Sequence, residues 1–205
     1  IPTPTATRHP QSFSDEAEAY MNEGRMGLAK EAFQAAIKAD PQNMSNYLTL
    51  AKLQIYSGDY EEARVNAENA LLLNKTYPSA FSLLAWAKGF LGEYLEAEAD
   101  LKSALEIDPN NAMAHAIYAY VLALRVANNA GELGTVDQAI EESRLALEMD
   151  PQLMESHWAR GYVLEITSNY EEAVQQLKAA IDLNDNIAEL HLALGRNYLA
   201  IEEYD

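Results

Sequence analysis

Alanine recurs along this chain at a fixed interval. Ala29, Ala63 and Ala97 lie 34 residues apart, Ala139 follows after 42, and Ala173 after 34 again. A second series, Ala36, Ala70, Ala104, Ala146 and Ala180, repeats the same spacings. Two series that share one irregularity define a single repeat unit with an eight-residue insertion in its fourth copy. Gly24, Gly58, Gly92 and Gly134 keep the same phase, with Ser168 in the fifth place, and Met26, Tyr60, Tyr94, Val136, Tyr170 and Tyr204 follow two positions later. A chain that repeats itself at this period has no single central core. Each unit buries its apolar face against its neighbours, so the fold extends by stacking.

Every window reads as two helices. In the second, Tyr47, Leu50, Ala51 and Leu53 recur at helical spacing, Gly58-Asp59 breaks the run, and Ala63, Ala67, Ala70 and Leu71 resume it. Asp59 is expected to cap the second helix through its carboxylate, with Glu61 and Glu62 favoured by the dipole there. Pro41, Pro109 and Pro151 each follow an aspartate and end helical pairs. Small residues fall on the first helix of successive windows, at Ala17, Ala51, Ala85, Ala119, Gly161 and Gly195, where they let helix axes approach to about 8 Å. Phe33, Tyr60, Tyr94, Leu101, Tyr170 and Leu177 recur in phase to fill the space between.

The period, the small residue in the first helix, the Gly-Asp-Tyr-x-x-Ala turn at residues 58–63 and the Asp-Pro terminators at Asp108-Pro109 and Asp150-Pro151 together resemble the tetratricopeptide repeat. The resemblance implies an all-α fold, a right-handed α-solenoid of antiparallel helix pairs. Units fall at about residues 10–43, 44–77, 78–111, 112–153 with the insertion, 154–187 and 188–205, the last truncated, after a Thr/Pro-rich linker at 1–9. Glu16 replaces the usual Leu of the first unit, as a solvent-facing terminal repeat would allow. Lys75 and Asp185 stand where a terminating proline is expected, which predicts less sharply bent junctions. The insertion, residues 126–133, begins with helical character and ends without it, as a contact knob or, more commonly, a tolerated loop. Residues 202–205 resemble the turn that opens a second helix, so the sequence is expected to be incomplete there. Leu190, Leu194 and Tyr198 would then be exposed until further chain or another molecule covers them.

Charge narrows the partners. Fourteen Lys and Arg stand against 32 Asp and Glu, a formal charge of −18 that repels phosphate backbones and anionic lipid headgroups. Nucleic acid is therefore not expected as a partner. With no cysteine, neither disulfides nor thiolate metal sites contribute. No run reaches the roughly 18 consecutive apolar residues of a membrane span, so direct insertion by this segment is not expected. The alternation of Pro and Thr over residues 1–7 favours an extended leader, which is disordered or a glycosylated tether, and it tilts localisation toward a tethered or secreted, extracytoplasmic protein over a cytoplasmic one.

No phosphate-loop, dinucleotide, zincin, nucleophile-elbow or EF-hand pattern occurs, so the chain is expected to be no enzyme and to need no cofactor or metal. His115, His157 and His191 share one slot in successive units, but equivalent residues lie about 10 Å apart, too far to share a zinc ion. They are expected to be structural. Acidic pairs such as Glu141-Glu142 and Glu171-Glu172 are solvated helix faces.

The family resemblance further implies a concave groove lined by the first helices. Its slots carry Leu48, Lys52 and Tyr56, then Ser82, Trp86 and Phe90, then Met113, Ile117, Tyr120 and Leu124, then Trp158, Tyr162 and Ile166, and finally Leu192 and Arg196. Members that grip a C-terminal carboxylate place Lys, Asn and Arg here. In this chain Lys52 and Arg196 are far apart in sequence and Thr49, Leu83, Ile117 or Ala159 occupy the Asn slots, so that clamp is missing. The expected function is a non-catalytic scaffold that receives an apolar peptide or helix on Leu48, Lys52, Tyr56, Trp86, Phe90, Ile117, Tyr120, Leu124, Trp158, Tyr162 and Arg196, with both tryptophans partly exposed as anchors. The alternative for the tryptophans is plain packing between helices. For the whole chain the alternatives are a self-assembling element joined through its C-terminal end, or the interaction arm of a longer protein.

Overall fold

The computed structural model describes residues 8–204; the Thr/Pro tract of residues 1–7 lies outside them. Eleven helices and no strand occur among the described residues: α1 (Gln11–Asn22), α2 (Met26–Ala39), α3 (Met44–Ser57), α4 (Tyr60–Leu73), α5 (Pro78–Phe90), α6 (Tyr94–Ile107), α7 (Ala112–Ala127), α8 (Thr135–Met149), α9 (Met154–Ile166), α10 (Tyr170–Leu183) and α11 (Ala188–Tyr204). None is long and apolar enough to cross a membrane. From α1 to α9 each odd-numbered helix packs on the even-numbered helix that follows it, and from α3 onward successive odd-numbered helices also touch one another, which is the α-solenoid.

The alanines that set the sequence phase are the points of closest approach. Both series on the second helices, from Ala29 to Ala173 and from Ala36 to Ala180, are fully buried, as are Ala17, Ala51, Ala85 and Ala119 on the first helices. At Gly161 even a methyl is too large, because an added Cβ would sit 2.9 Å from Leu177 Cγ. Small residues here trade side-chain burial for contact between helix backbones, and Phe33, Leu101 and Leu177 fill the remaining volume.

The connections differ from expectation in three places. Asp59 makes no capping hydrogen bond to α4; its carboxylate instead accepts from Lys30 Nζ at 2.6 Å, an ion pair between the first two units that outcompetes the local cap. The proline-free junctions close just as the others do. Asn74 Oδ1 accepts from the Thr76 amide and Asn184 Oδ1 from the Asn186 amide, the same bond that Asp40, Asp108 and Asp150 make across their prolines. An Asx-turn sets the bend, so proline is dispensable. Finally, α11 runs on through residues 202–204 with no turn. Glu202 stands where Gly24, Gly58 and Gly92 adopt positive φ, and a glutamate there favours continued helix.

The insertion is held down from below. α7 extends to Ala127, and Arg125 turns back from its last turn to donate to the Ala130 carbonyl at 2.8 Å, to Glu132 at 2.8 Å and to the buried Glu98 of α6 at 2.7 Å. One guanidinium thus ties the loop to the preceding unit, while Leu133 at its edge is fully exposed.

The coil also meets itself. α11 touches α3, and the turn after α1 lies against the turn after α10, where a Cβ on Gly24 would fall 2.6 Å from Asn186 Oδ1. Gly24 has φ +71°, a backbone conformation that favours glycine, and a larger residue there would also have to displace the Asn186 side chain. This seam between the N-terminal unit and the α10–α11 turn positions the site described next.

Candidate functional site

The inner faces of α3, α5, α7 and α9 each send aromatic rings toward the axis of the coil. Trp86 lies 5.3 Å from Trp158, 5.9 Å from Tyr56 and 6.2 Å from Tyr120, with ring planes steeply inclined to one another. Tyr120 touches Trp158 at 5.5 Å and stacks on Tyr162 at 4.8 Å, and Phe90 stacks on Tyr60 at 4.2 Å. Edge-to-face contacts of this kind add to the burial of the rings themselves. Because rings from the second, third, fourth and fifth units converge, they fill the bore that an open groove would leave.

This corrects the expected exposure of the tryptophans. Trp86 is 1% and Trp158 2% exposed, Ile117 and Tyr120 are buried beside them, and the indole N–H of Trp86 meets no acceptor among the described residues. Phe90, Leu124 and Tyr162 are half-buried around the cluster. Burial pushes the Tyr56 and Tyr120 phenols well above their usual value and that of Tyr162 up to about 12, so all three stay protonated in the neutral range. At the C-terminal end, Leu190 is buried where α11 packs on α10 rather than exposed, whereas Leu192, Tyr198 and Leu199 of α11 are open to solvent and Leu194 is half-buried.

Four of the expected groove residues, Leu48, Lys52, Tyr56 and Met113, line open space. They wall a recess of about 310 Å³ with Met21, Leu53, Leu83 and Asn184. It adjoins a larger cavity of about 680 Å³ at the seam, bounded by Met21, Asn22, Met26, Leu53 and Tyr56 on one side and by Ile181, Asp182, Leu183, Asn184, Asp185 and Asn186 on the other. Met21, Leu53, Tyr56 and Asn184 are common to both. Arg196 lies elsewhere, exposed on α11 and paired with Glu165 at 3.1 Å and Glu189 at 3.0 Å.

Lys52 is already engaged. Glu155 on α9, 2% exposed, accepts from Lys52 Nζ at 2.5 Å and from the Tyr56 hydroxyl at 2.6 Å, bridging the second and fifth units across the coil. Glu155 was not evident among groove residues in the sequence; the signal was a carboxylate in a slot that holds Ser45, Ser79 and Met113 in the preceding units. The bridge should contribute to stability as a pair. In a double-mutant cycle of Lys52→Met and Glu155→Gln, urea unfolding should give a coupling of about 1 kcal/mol, limited by the partial exposure of Lys52. Additive losses would mean that the contact holds nothing together.

Models of the tetratricopeptide repeat match residues 20–87, 78–111 and 124–186. The chain belongs to the tetratricopeptide repeat family. Among solved structures, a thermophilic tetratricopeptide repeat protein from Thermus thermophilus superposes with a TM-score of 0.71 at 22% identity, over 93% of this chain and 99% of that one. The first such domain of Spaghetti (RPAP3), bound to an HSP90 peptide, superposes with a TM-score of 0.51 at 24% identity, over 60% of this chain and 92% of that one. A curated relative, the DnaJ homolog subfamily C member 7 homolog of Schizosaccharomyces pombe, is 24% identical over 200 residues. That match takes in 92% of this tetratricopeptide repeat chain but 41% of the relative's length.

The repeat also explains its histidines. His115, His157 and His191 each approach through Nε2 the backbone carbonyl six residues earlier, that of Pro109, Pro151 or Asp185, at 2.9–3.0 Å, and so brace the junction turn. His115 Nδ1 additionally faces Glu142 at 2.6 Å. Both neighbours of His115 are acceptors, so the imidazolium satisfies both, and the Glu142 hydrogen bond raises its pKa above 6.5. A folded-state pKa above the unfolded one stabilises fully below the unfolded value and loses that stabilisation as pH rises through the folded value. The stability advantage of the wild type over His115→Gln should therefore shrink as pH is raised from about 6 to about 9, measured by urea unfolding. A constant advantage would assign His115 to neutral packing.

Proposed function

We propose that this tetratricopeptide repeat chain is a non-catalytic interaction scaffold, and that it receives an apolar side chain of a partner peptide or helix in the seam cavity. The observation that carries this reading is the contrast between the filled bore and the open seam. Trp86, Tyr120 and Trp158 pack against one another, whereas Met21, Met26, Leu53, Ile181 and Leu183 line unfilled space. Leu48, Lys52 and Tyr56 of the expected groove join this surface, with the aromatic cluster as the rigid floor beneath Tyr56. Methionines at the rim suit a site that adapts to differing side chains. Relatives of the same fold whose structures contain peptide, such as the Spaghetti domain with its HSP90 peptide, support the general role.

The test is a peptide array probed with the wild type and with Met21→Trp, which places an indole where the two recesses meet and so fills the part they share. Thermal melts establish that the variant folds, and Asn22→Trp, on the exposed rim, serves if it does not. Sequences bound by the wild type should share an apolar residue and be lost in the filled variant. Undiminished binding by a folded, filled variant would remove the seam as the site. A second reading, self-association, is favoured by the exposed Leu192, Tyr198 and Leu199 of α11. Sedimentation over a wide concentration range decides it, since closed or open assembly through that face requires mass that grows with concentration.

A further inference from the structure

The charged residues that line the seam cavity are of one sign. Asp182 and Asp185, both exposed, stand on its lip, and neither carboxylate has an ion-pair partner among the described residues. Asn22, Asn184 and Asn186 supply the other polar groups, and no cation lines the cavity among the described residues. The one cation in the adjoining recess among those residues, Lys52, is bound by Glu155. The chain as a whole carries −18, so its net charge does not offset these two aspartates.

Resting on the seam as the binding site, we infer that its partner is a cationic segment: an apolar anchor that enters between Met21, Met26, Leu53 and Ile181, flanked by Lys or Arg that reach Asp182 and Asp185. An acidic peptide is disfavoured twice over. It would meet two unpaired carboxylates at the mouth, and the ammonium that could hold it is already paired with a buried glutamate. Charge complementarity thus selects the flanks while the apolar walls select the anchor.

Short synthetic peptides that share a Leu-Met-Leu centre and carry lysines, serines or glutamates on both flanks provide the test, by fluorescence anisotropy at low and moderate salt. The lysine-flanked peptide should bind about tenfold more tightly than the serine-flanked one, with the difference shrinking as salt rises, and the glutamate-flanked peptide should bind most weakly. Asp182→Asn with Asp185→Asn should erase the preference and leave the serine-flanked peptide unaffected. Glu96→Gln with Glu106→Gln, on α6 away from the seam, should leave the preference intact and so exclude a mere effect of net charge. Equal binding of the three peptides, abolished by Met21→Trp, would overturn the cationic partner while keeping the seam. A preference that survives Asp182→Asn with Asp185→Asn, that falls equally in the α6 variant, or that favours glutamate would also overturn it. Failure of every peptide to bind, or binding indifferent to Met21→Trp, would remove the site itself and this inference with it.

Discussion

Trp86→Ala should destabilise the protein by about 3–5 kcal/mol, the range for removing a large buried aromatic without collapse of its surroundings. The indole is 1% exposed and is wedged among Tyr56, Tyr120 and Trp158 from three other helices, so no single helix can move in to fill the space. For a chain of this size that loss corresponds to a fall in Tm of about 6–20 °C. Trp86→Phe should cost much less, because a ring still fills most of the volume and the buried N–H that lacks an acceptor is removed. Thermal and urea unfolding of the two variants check the ordering. A Trp86→Ala protein that melts within a degree or two of the wild type would mean that the aromatic cluster is not the keystone of the coil, and the bore would again be available to a partner.

The contrast between Trp86 and Lys52 shows how far the sequence could be read. The repeat phase identified which residues point inward, because each first helix repeats the same face in every unit. Trp86, Tyr120 and Trp158 do lie together there. What phase cannot supply is the radius of the coil. Whether an inward ring lines a groove or plugs a bore depends on small rotations between successive units, which accumulate over several interfaces. Here they bring Tyr56 to Glu155 and Gly24 to Asn186, contacts between residues remote in sequence. Met21, Asp182 and Asn186 belong to the site only because the coil closes, so no local pattern marked them. The turn expected to begin at residue 202 does not form through residue 204 for a local reason instead: the aromatic of the motif is present at Tyr204, but the residue that would break the helix is Glu202, where the first four units have glycine and the fifth has Ser168, all at positive φ.

Arg125→Met should be comparably damaging, by about 3–5 kcal/mol, although the side chain removed is polar. Its guanidinium and the Glu98 carboxylate are both roughly nine-tenths buried and bond at 2.7 Å, so truncation leaves a carboxylate in a poorly solvated place without its partner. The cost lies in the stranded charge more than in the lost attraction. Replacing both members, with Arg125→Met and Glu98→Leu, should therefore recover most of the loss, since two apolar chains of similar length fill the same volume. Glu132→Gln should have little effect, because that carboxylate is exposed and its bond to Arg125 is screened by water. A further consequence concerns the insertion. Arg125 also holds the Ala130 carbonyl, so both the single and the double variant should exchange amide hydrogens faster across residues 128–134 even where global stability has returned. Restored stability with restored protection would show that the loop is ordered by its own turns and that Arg125 serves only the pair with Glu98; a double variant as unstable as Arg125→Met alone would place the cost in lost packing and refute the stranded-charge account.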